Sequence, residues 1–151
     1  MYVDKQAEFS DSQVVTATAI STNVYDLSPV GNGVNSNLIR DIGGGEDVNL
    51  VIQVDTTATA AGAATVTVTL ESADNAALTS STVHFTSAAY PLASLGGGKT
   101  LAVIKLPADS YKRYVGIRYT VGTGPLTTGA FSAFITHDVP SFRAYQKGYN
   151  F

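Results

Sequence analysis

Threonine alternates with small or β-branched apolar residues in the stretch Ala64–Leu70, which reads Ala-Thr-Val-Thr-Val-Thr-Leu. A period of two places the apolar side chains on one face of a β-strand and the threonines on the other face. The pattern therefore predicts a strand with one face in a core and the other in water. Similar alternation recurs along the chain, which contains no amphipathic segment of helical period as long as ten residues.

The predicted strands are separated by segments rich in glycine and proline. Eight strands are predicted: Val14–Ile20, Thr22–Leu27, Val48–Asp55, Ala64–Ser72, Thr82–Thr86, Thr100–Leu106, Tyr114–Val121 and Ala130–Asp138. The glycine runs Gly43–Gly45 and Gly96–Gly98 and the segment Gly122–Pro125 are predicted turns, because glycine adopts positive φ without steric cost. Short strands at this spacing predict an all-β fold, an eight-stranded antiparallel β-sandwich or jelly roll.

The two ends of the chain lie outside this strand pattern. We therefore divide the sequence into an N-terminal arm (residues 1–12), a jelly-roll domain (13–139) and a C-terminal tail (140–151). The arm is polar and mildly acidic, with Tyr2 and Phe9 as candidate anchors. The tail combines aromatic with basic side chains, which are residue types enriched at protein interfaces. Two interpretations stay open: the tail packs on its own domain, or it docks on a partner as an anchor or an added strand.

The composition favours a protein that presents surface. Of 151 residues only 14% are charged, against about 25% in a typical globular protein. Threonine, serine and alanine fill the difference, so the exposed sheet faces should be neutral and rich in hydroxyl groups. Such faces need few counter-charges and pack readily against another protein.

Several kinds of protein are disfavoured by what the sequence lacks. Without cysteine the fold uses no disulfide bond and no thiolate–metal site. No run approaches the roughly 18 apolar residues of a membrane-spanning helix, and the start of the chain lacks the apolar segment of a signal peptide. We therefore expect cytosolic synthesis without secretion, and no membrane partner.

Charge is distributed unevenly between the two halves of the chain. Residues 1–75 hold ten acids and two bases, whereas residues 76–151 hold two acids and seven bases. Either acidic and basic strands from the two halves lie side by side in the sheets, or the molecule is polarised and its basic side meets an acidic partner. Nucleic acid is not an expected partner, because the basic residues are dispersed and the pI is about 5.1.

The sequence offers little reaction chemistry. A zinc site needs three or four convergent ligands, and the two histidines, His84 and His137, stand far apart without a ligand spacing. No Gly-x-Ser-x-Gly turn presents a serine nucleophile, and the acidic pair Glu46–Asp47 is interpreted as the start of a strand rather than a calcium site. We therefore predict no enzyme, no cofactor and no metal, and interpret both histidines as structural.

A binding module is the alternative to a purely structural protein. Carbohydrate-binding jelly rolls use exposed aromatic platforms, often tryptophan, and the chain has no tryptophan. The alternative function is therefore a carbohydrate- or cell-surface-binding jelly-roll module of a virion fibre or adhesin, and it ranks second.

Segments distributed along nearly the whole chain resemble, in matching order, the jelly-roll capsid cement (decoration) proteins of tailed double-stranded DNA bacteriophages. In the first half the resemblance is carried by Met1–Gln6, Leu38–Gly43, Gly45–Asp47 and Gln53–Asp55. In the second half it is carried by Thr69–Ser72, Lys105–Pro107, Arg113–Tyr119 and Gly124–Thr127. The resemblance implies a virion protein on the outer capsid surface, made in the host cytoplasm, that bridges neighbouring major capsid proteins. It also implies a small homo-oligomer, with dimers on two-fold positions preferred to trimers.

A cement protein has contact residues instead of catalytic ones, and we place them mainly at the two ends of the chain. Arg40 and Arg118 are secondary choices, because either could pair with an acidic neighbour in the same molecule. The predicted capsid or partner contacts are Tyr2, Asp4, Lys5, Phe9, Arg40, Arg118, Phe142, Arg143, Tyr145, Lys147, Tyr149 and Phe151.

Overall fold

The computed structural model describes residues 3–27, 42 and 47–139. These residues form ten strands and one short 3₁₀ turn, Leu92–Ser94. The strands are β1 (Glu8–Val14), β2 (Ala19–Ile20), β3 (Tyr25–Asp26), β4 (Asn49–Thr59), β5 (Thr65–Ala73), β6 (Thr82–Thr86), β7 (Tyr90–Pro91), β8 (Lys99–Lys105), β9 (Tyr114–Gly122) and β10 (Thr128–Thr136).

The strands form two antiparallel sheets. Sheet I has the order β1-β10-β4-β8, and sheet II has the order β2-β9-β5-β6. At one edge of sheet II, the short strands β2 and β3 both pair with β9. At the other edge, β6 and β7 both pair with β5. Each edge of sheet II is therefore a single strand position that is interrupted once. Eight strand positions in this order make a jelly roll, which confirms the predicted all-β sandwich.

Two buried serines keep the ladder of sheet II intact where its edge strands are interrupted. Between β2 and β3, the Ser21 N–H donates to the Ile117 carbonyl (2.7 Å), and Ser21 Oγ accepts the N–H of Ile117 (3.1 Å). Between β6 and β7, Ser87 makes the equivalent pair of bonds with Val68, both 2.9 Å. A side-chain oxygen replaces a missing strand carbonyl at both places, so the central strands leave no buried backbone group unpaired there.

The core lies between the sheets and follows the alternation seen in the sequence. Val66, Val68 and Leu70 of β5 are buried, while the intervening threonines are half-exposed. In β9, Val115, Ile117 and Tyr119 are buried in the same way, and Tyr119 stacks on Phe131 of β10 with ring centroids 5.4 Å apart. The apolar residues of the alternation in β5 thus face the core, as the sequence predicts.

The strand boundaries predicted near the N-terminus are wrong. Strand β1 begins at Glu8, inside the segment assigned to an arm, and it pairs with β10. The predicted strand Val14–Ile20 is mostly the connection that follows β1. Register shifts interrupt β1 on both sides of Ser10, and Ser12 has a φ of +45°, so its side chains do not alternate regularly. A bulged strand of this kind carries no clear period in the sequence.

The uneven charge distribution is explained by pairing between the two halves. Four ion pairs join an acid of residues 1–75 to a base of residues 76–151. They are Asp26–Arg113, Asp47–Lys105, Glu71–Arg118 and Asp74–Lys112. The interpretation in which acidic and basic strands lie side by side is thus confirmed within the described residues.

Candidate partner-contact surface

The predicted N-terminal contacts separate into an exposed pair and a buried anchor. Asp4 and Lys5 are exposed and lie in a tight turn before β1, where the N–H of Ala7 donates to the Asp4 carbonyl at 2.8 Å. Lys5 Nζ lies 2.8 Å from Glu8 Oε1, and this hydrogen bond raises the pKa of the lysine. Both side chains are accessible to a partner.

Phe9 is not a surface contact. Its side chain is 1% exposed and belongs to the main core cluster, because β1 turns it inward between the sheets. Burying a phenylalanine side chain stabilises a fold by roughly 1.5–3 kcal/mol. The aromatic residue near the N-terminus therefore anchors the chain to its own domain.

Arg118 also serves the fold rather than a partner. Its Nε lies 3.0 Å from both carboxylate oxygens of Glu71, and its Nη2 donates to the carbonyl of Leu78 at 3.1 Å. Arg118 was a secondary choice because it could pair with an acid of the same molecule, and the structure shows this pairing.

The remaining predicted contacts fall on residues that the structure does not describe. They are Tyr2, Arg40, Phe142, Arg143, Tyr145, Lys147, Tyr149 and Phe151. The predicted roles of these residues, and of the C-terminal tail, lie outside the described residues and stay predictions.

A cleft of about 550 Å³ lies at the end of the sandwich where β4 begins and β10 ends. Apolar side chains make up much of its lining, and acidic and imidazole side chains stand among them. The lining consists of Val3, Asp4, Ala7, Tyr25, Ile42, Val48, Ile135, Thr136, His137 and Asp138. Asp4 is the predicted contact residue that the structure places in this cleft. The other lining residues are separated by long stretches of sequence, so no local motif marked them as one site.

In the described part of the chain, the edge strands β1, β6 and β8 are irregular. Strand β1 has two register shifts, β6 has one opposite Leu70 and Glu71, and the pairing of β8 shifts between Ile52 and Gln53. Bulges of this kind discourage the addition of a foreign strand at a sheet edge. Contacts through a sheet face or through an end of the sandwich are therefore favoured.

The structure also brings together a serine, a histidine and an aspartate that the sequence did not connect. Ser72 Oγ lies 2.6 Å from His84 Nε2, and His84 Nδ1 lies 2.6 Å from Asp109 Oδ2. Ser72 is on β5, His84 is on β6, and Asp109 is on the loop between β8 and β9. A chain so rich in serine gives no sequence signal for such a cluster.

The three side chains are hydrogen-bonded in the sequence serine–histidine–aspartate, as in a hydrolytic triad, but the serine is not accessible to a substrate. Ser72 is fully buried, as is the His84 side chain. The ring of Tyr111 lies against the imidazole with centroids 4.3 Å apart, and the backbone N–H of Lys112 donates to Ser72 Oγ at 3.0 Å. A substrate carbonyl would have to approach the serine oxygen to about 3 Å, and these contacts occupy that space.

Neither a metal cluster nor a membrane helix occurs in the part of the chain that the structure describes. No group of three or more His, Cys, Asp or Glu side chains is placed to hold a metal ion within residues 3–27, 42 and 47–139. In the same residues no helix is long and apolar enough to cross a membrane.

Comparison with known proteins gives one family. No curated protein matches the chain significantly. The model of the Bbp16 family matches residues 9–135, a span that runs from the second residue of β1 to the last but one of β10. Because the match covers most of the sequence, the chain belongs to the Bbp16 family, whose name is of the type given to bacteriophage proteins.

Proposed function

We propose that this chain is a bacteriophage capsid cement protein, which sits on the outside of the head and bridges neighbouring major capsid proteins. The observation that carries the proposal is the membership of the Bbp16 family, whose match coincides with the whole sandwich. The family name supports a phage protein, and the cement role rests in addition on the resemblance described from the sequence.

The physical properties of the sandwich suit a protein that staples other proteins together. Four of its basic side chains are paired with acids from the other half of the chain. Internal pairing reduces the number of unpaired charges that would repel neighbouring copies when many of them crowd onto one shell. The irregular edge strands oppose uncontrolled strand addition between copies.

The attachment surface that we propose is the end of the sandwich that holds the cleft. Asp4 lines this cleft, and Lys5 is exposed beside it. A standard protein interface buries roughly 1,600 Å² in total, so neighbouring side chains must take part as well. One unit that engages two capsid subunits gains avidity, and each single contact can then be weak.

The partners in this proposal are the major capsid protein and a second copy of the chain. A homodimer on two-fold positions of the shell is the first choice and a trimer the second. A unit with two equivalent attachment surfaces is the simplest device that links two capsid subunits.

Heads that lack this protein provide the test. Purified protein added back to such heads should bind at a saturable number of sites, and decorated heads should keep their DNA to a higher temperature than bare heads. Binding would be measured by sedimentation and electron microscopy, and DNA release by dye fluorescence on heating. Absence of binding would refute the attachment, whereas binding without a shift in DNA release would refute the cementing role.

The carbohydrate-binding alternative receives no support from the described surface. The large hydrophobic side chains that are exposed there are three valines, Val14, Val83 and Val103, which stand on three different edge strands. A sugar platform needs exposed aromatic rings at one place. A glycan array with reproducible hits would restore this alternative.

A further inference from the structure

The loop between β8 and β9 crosses from sheet I to sheet II at the same end of the sandwich as the cleft. Its residues 107–112, which we call the strap, form no strand. Hydrogen bonds join the strap to sheet II at His84, which meets Asp109, and at Ser72, which accepts the N–H of Lys112. Tyr111 closes the strap on itself, since its hydroxyl donates to the Pro107 carbonyl at 2.6 Å.

We infer that Ser72, His84 and Asp109 form a structural clamp that fastens the strap to sheet II, with His84 held in its Nδ1–H form. The inference does not depend on the proposed function. It assigns a direction to each hydrogen bond of the cluster. A catalytic triad at rest has the same directions, so the clamp is distinguished by the burial of Ser72 and by the bond that its oxygen accepts from the Lys112 N–H.

The backbone of Lys112 sets the direction on the serine side. Its N–H can only donate, so Ser72 Oγ accepts that bond at 3.0 Å. The hydroxyl hydrogen of Ser72 is then available for His84 Nε2, which lies 2.6 Å away. Because Ser72 is fully buried, its hydrogen would otherwise lose a partner without gaining water.

Asp109 sets the direction on the other side of the ring. The hydrogen bond from His84 and a second one from the N–H of Ser110 lower the pKa of the Asp109 carboxyl. The carboxylate is therefore ionised near neutral pH and accepts a bond only. His84 Nδ1, at 2.6 Å from Asp109 Oδ2, must carry a hydrogen.

The bulge in β6 explains why the histidine can reach both partners. Phe85 pairs with Leu70 and Val83 pairs with Glu71, which leaves His84 as the extra residue of the strand. An extra residue bends the strand and redirects its side chain. The imidazole thereby lies beside Ser72 of β5, with its ring against that of Tyr111. Without this extra residue, the pairing of Val83 and Phe85 with β5 would fix the position of the residue between them.

The charged and titratable groups around His84 are few in the described structure. Asp109 and Tyr111 face it from the strap, and Ser72 faces it from β5. The ammonium group of Lys112 is held by Asp74 at 3.5 Å. Since Nδ1 donates to Asp109 in both the neutral and the protonated imidazole, we expect the bond to Asp109 to persist until the carboxylate itself is protonated.

Nitrogen NMR of the two histidines tests the tautomer. In the full-length protein labelled with ¹⁵N-histidine at pH 8, His84 should show a protonated Nδ1 and an unprotonated Nε2, whereas a histidine side chain in water favours the Nε2–H form. The variant His137→Gln removes the other histidine signal and assigns the spectrum. A predominant Nε2–H form of His84 would overturn the inference.

Amide hydrogen exchange tests the clamp. The variant Ser72→Ala removes the acceptor of the Lys112 N–H, so exchange at this amide should accelerate by about tenfold, the equivalent of one hydrogen bond. Ser110→Ala, in the same loop, is the matched control, because the Ser110 backbone N–H bonds Asp109 and survives the substitution. Equal exchange of the Lys112 amide in the wild type and Ser72→Ala would contradict the clamp.

A fluorophosphonate probe separates the clamp from an active serine. A clamp keeps Ser72 buried, so the folded protein should remain unlabelled, as should Ser72→Ala. Labelling at Ser72 in the wild-type protein under native conditions would overturn the structural assignment and would favour an esterase-type site instead. His84→Gln provides the second readout, since a label that depended on His84 would mark an imidazole-activated nucleophile.

Discussion

Two ion pairs of this molecule have similar chemistry and opposite surroundings. Glu71 and Arg118 meet on the outer face of sheet II, where the carboxylate side chain is 5% exposed. Lys5 and Glu8 meet in the turn before β1, where the ammonium side chain is 75% exposed. The first carboxylate also accepts bonds from Thr69 and Ser81, both at 2.7 Å. The first pair is built into the fold, whereas the second leaves Lys5 free to serve a partner.

The largest difference is expected when one member of each pair is removed. Arg118→Met leaves the Glu71 carboxylate buried with two hydroxyl donors, and this should lower the free energy of unfolding by about 3 kcal/mol. Lys5→Met removes an exposed pair and should leave the free energy of unfolding almost unchanged. Urea denaturation followed by tyrosine fluorescence measures both. Similar losses in the two variants would mean that burial does not distinguish the pairs.

Packing around Glu71 offers a second way to sharpen the contrast. Gly116 lies opposite Glu71 in the β5–β9 ladder, and a Cβ atom there would come within 2.8 Å of Leu78 Cδ1 and 3.0 Å of Val24 Cγ1. Gly116→Ala should therefore lower the free energy of unfolding by about 1–3 kcal/mol.

Gly62→Ala is the matched control for Gly116→Ala. No atom lies within 4 Å of its added Cβ, so the free energy of unfolding should change by about 0.5 kcal/mol or less. Equal effects at the two positions would show that Leu78 and Val24, which pack over Gly116, move aside easily. In that case the side chains around Glu71 would not be tightly packed.

The pH dependence of stability should reflect the Glu71–Arg118 pair. Burial by itself would raise the pKa of Glu71, but the bonds from Arg118, Ser81 and Thr69 outweigh it and lower the pKa. A lowered pKa in the folded state contributes stability above the ordinary glutamate value, and this contribution disappears as the pH falls through the lowered value. Thermal unfolding from pH 7 down to pH 3 should therefore lose less stability in Arg118→Met than in the wild type. Parallel pH curves for the wild type and Arg118→Met would contradict the assignment of this pH dependence to the Glu71–Arg118 pair.

The sequence predicted the regular strands well, for a simple physical reason. In β5 and β9 one face is buried and the other is not, so the period of two is visible in the residue types themselves. Strand β1 was missed because register shifts around Ser10 remove that period. Phe9 was misplaced for the same reason, since an aromatic residue near a terminus looks like an anchor for a partner when its strand is not recognised.

The contacts that define the candidate sites could not be predicted in the same way. Asp4 and Ile135 meet in the cleft only because β10 returns to the N-terminal turn, and Ser72 meets His84 only because β6 carries a bulge. Contacts of this kind depend on topology and irregular register, which local periodicity does not encode. Arg118 was correctly seen as ambiguous, because a charged residue on an outward strand face has either an internal or an external partner.

The most direct test of the proposed attachment lies in the turn before β1, where little effect on stability is expected. The double variant Asp4→Ala/Lys5→Ala removes two exposed charges and should leave the free energy of unfolding nearly unchanged. Attachment to heads should nevertheless weaken, because both side chains lie at or beside the cleft. Asp11→Ala/Lys99→Ala removes the same two charge types from exposed positions away from the cleft end, in β1 and at the start of β8, and should leave attachment unchanged. Sedimentation of each variant with undecorated heads measures occupancy. Equal occupancy in the two double variants would place the gripping surface elsewhere on the molecule, while a loss in the first alone would show that the turn holds the capsid without holding the fold.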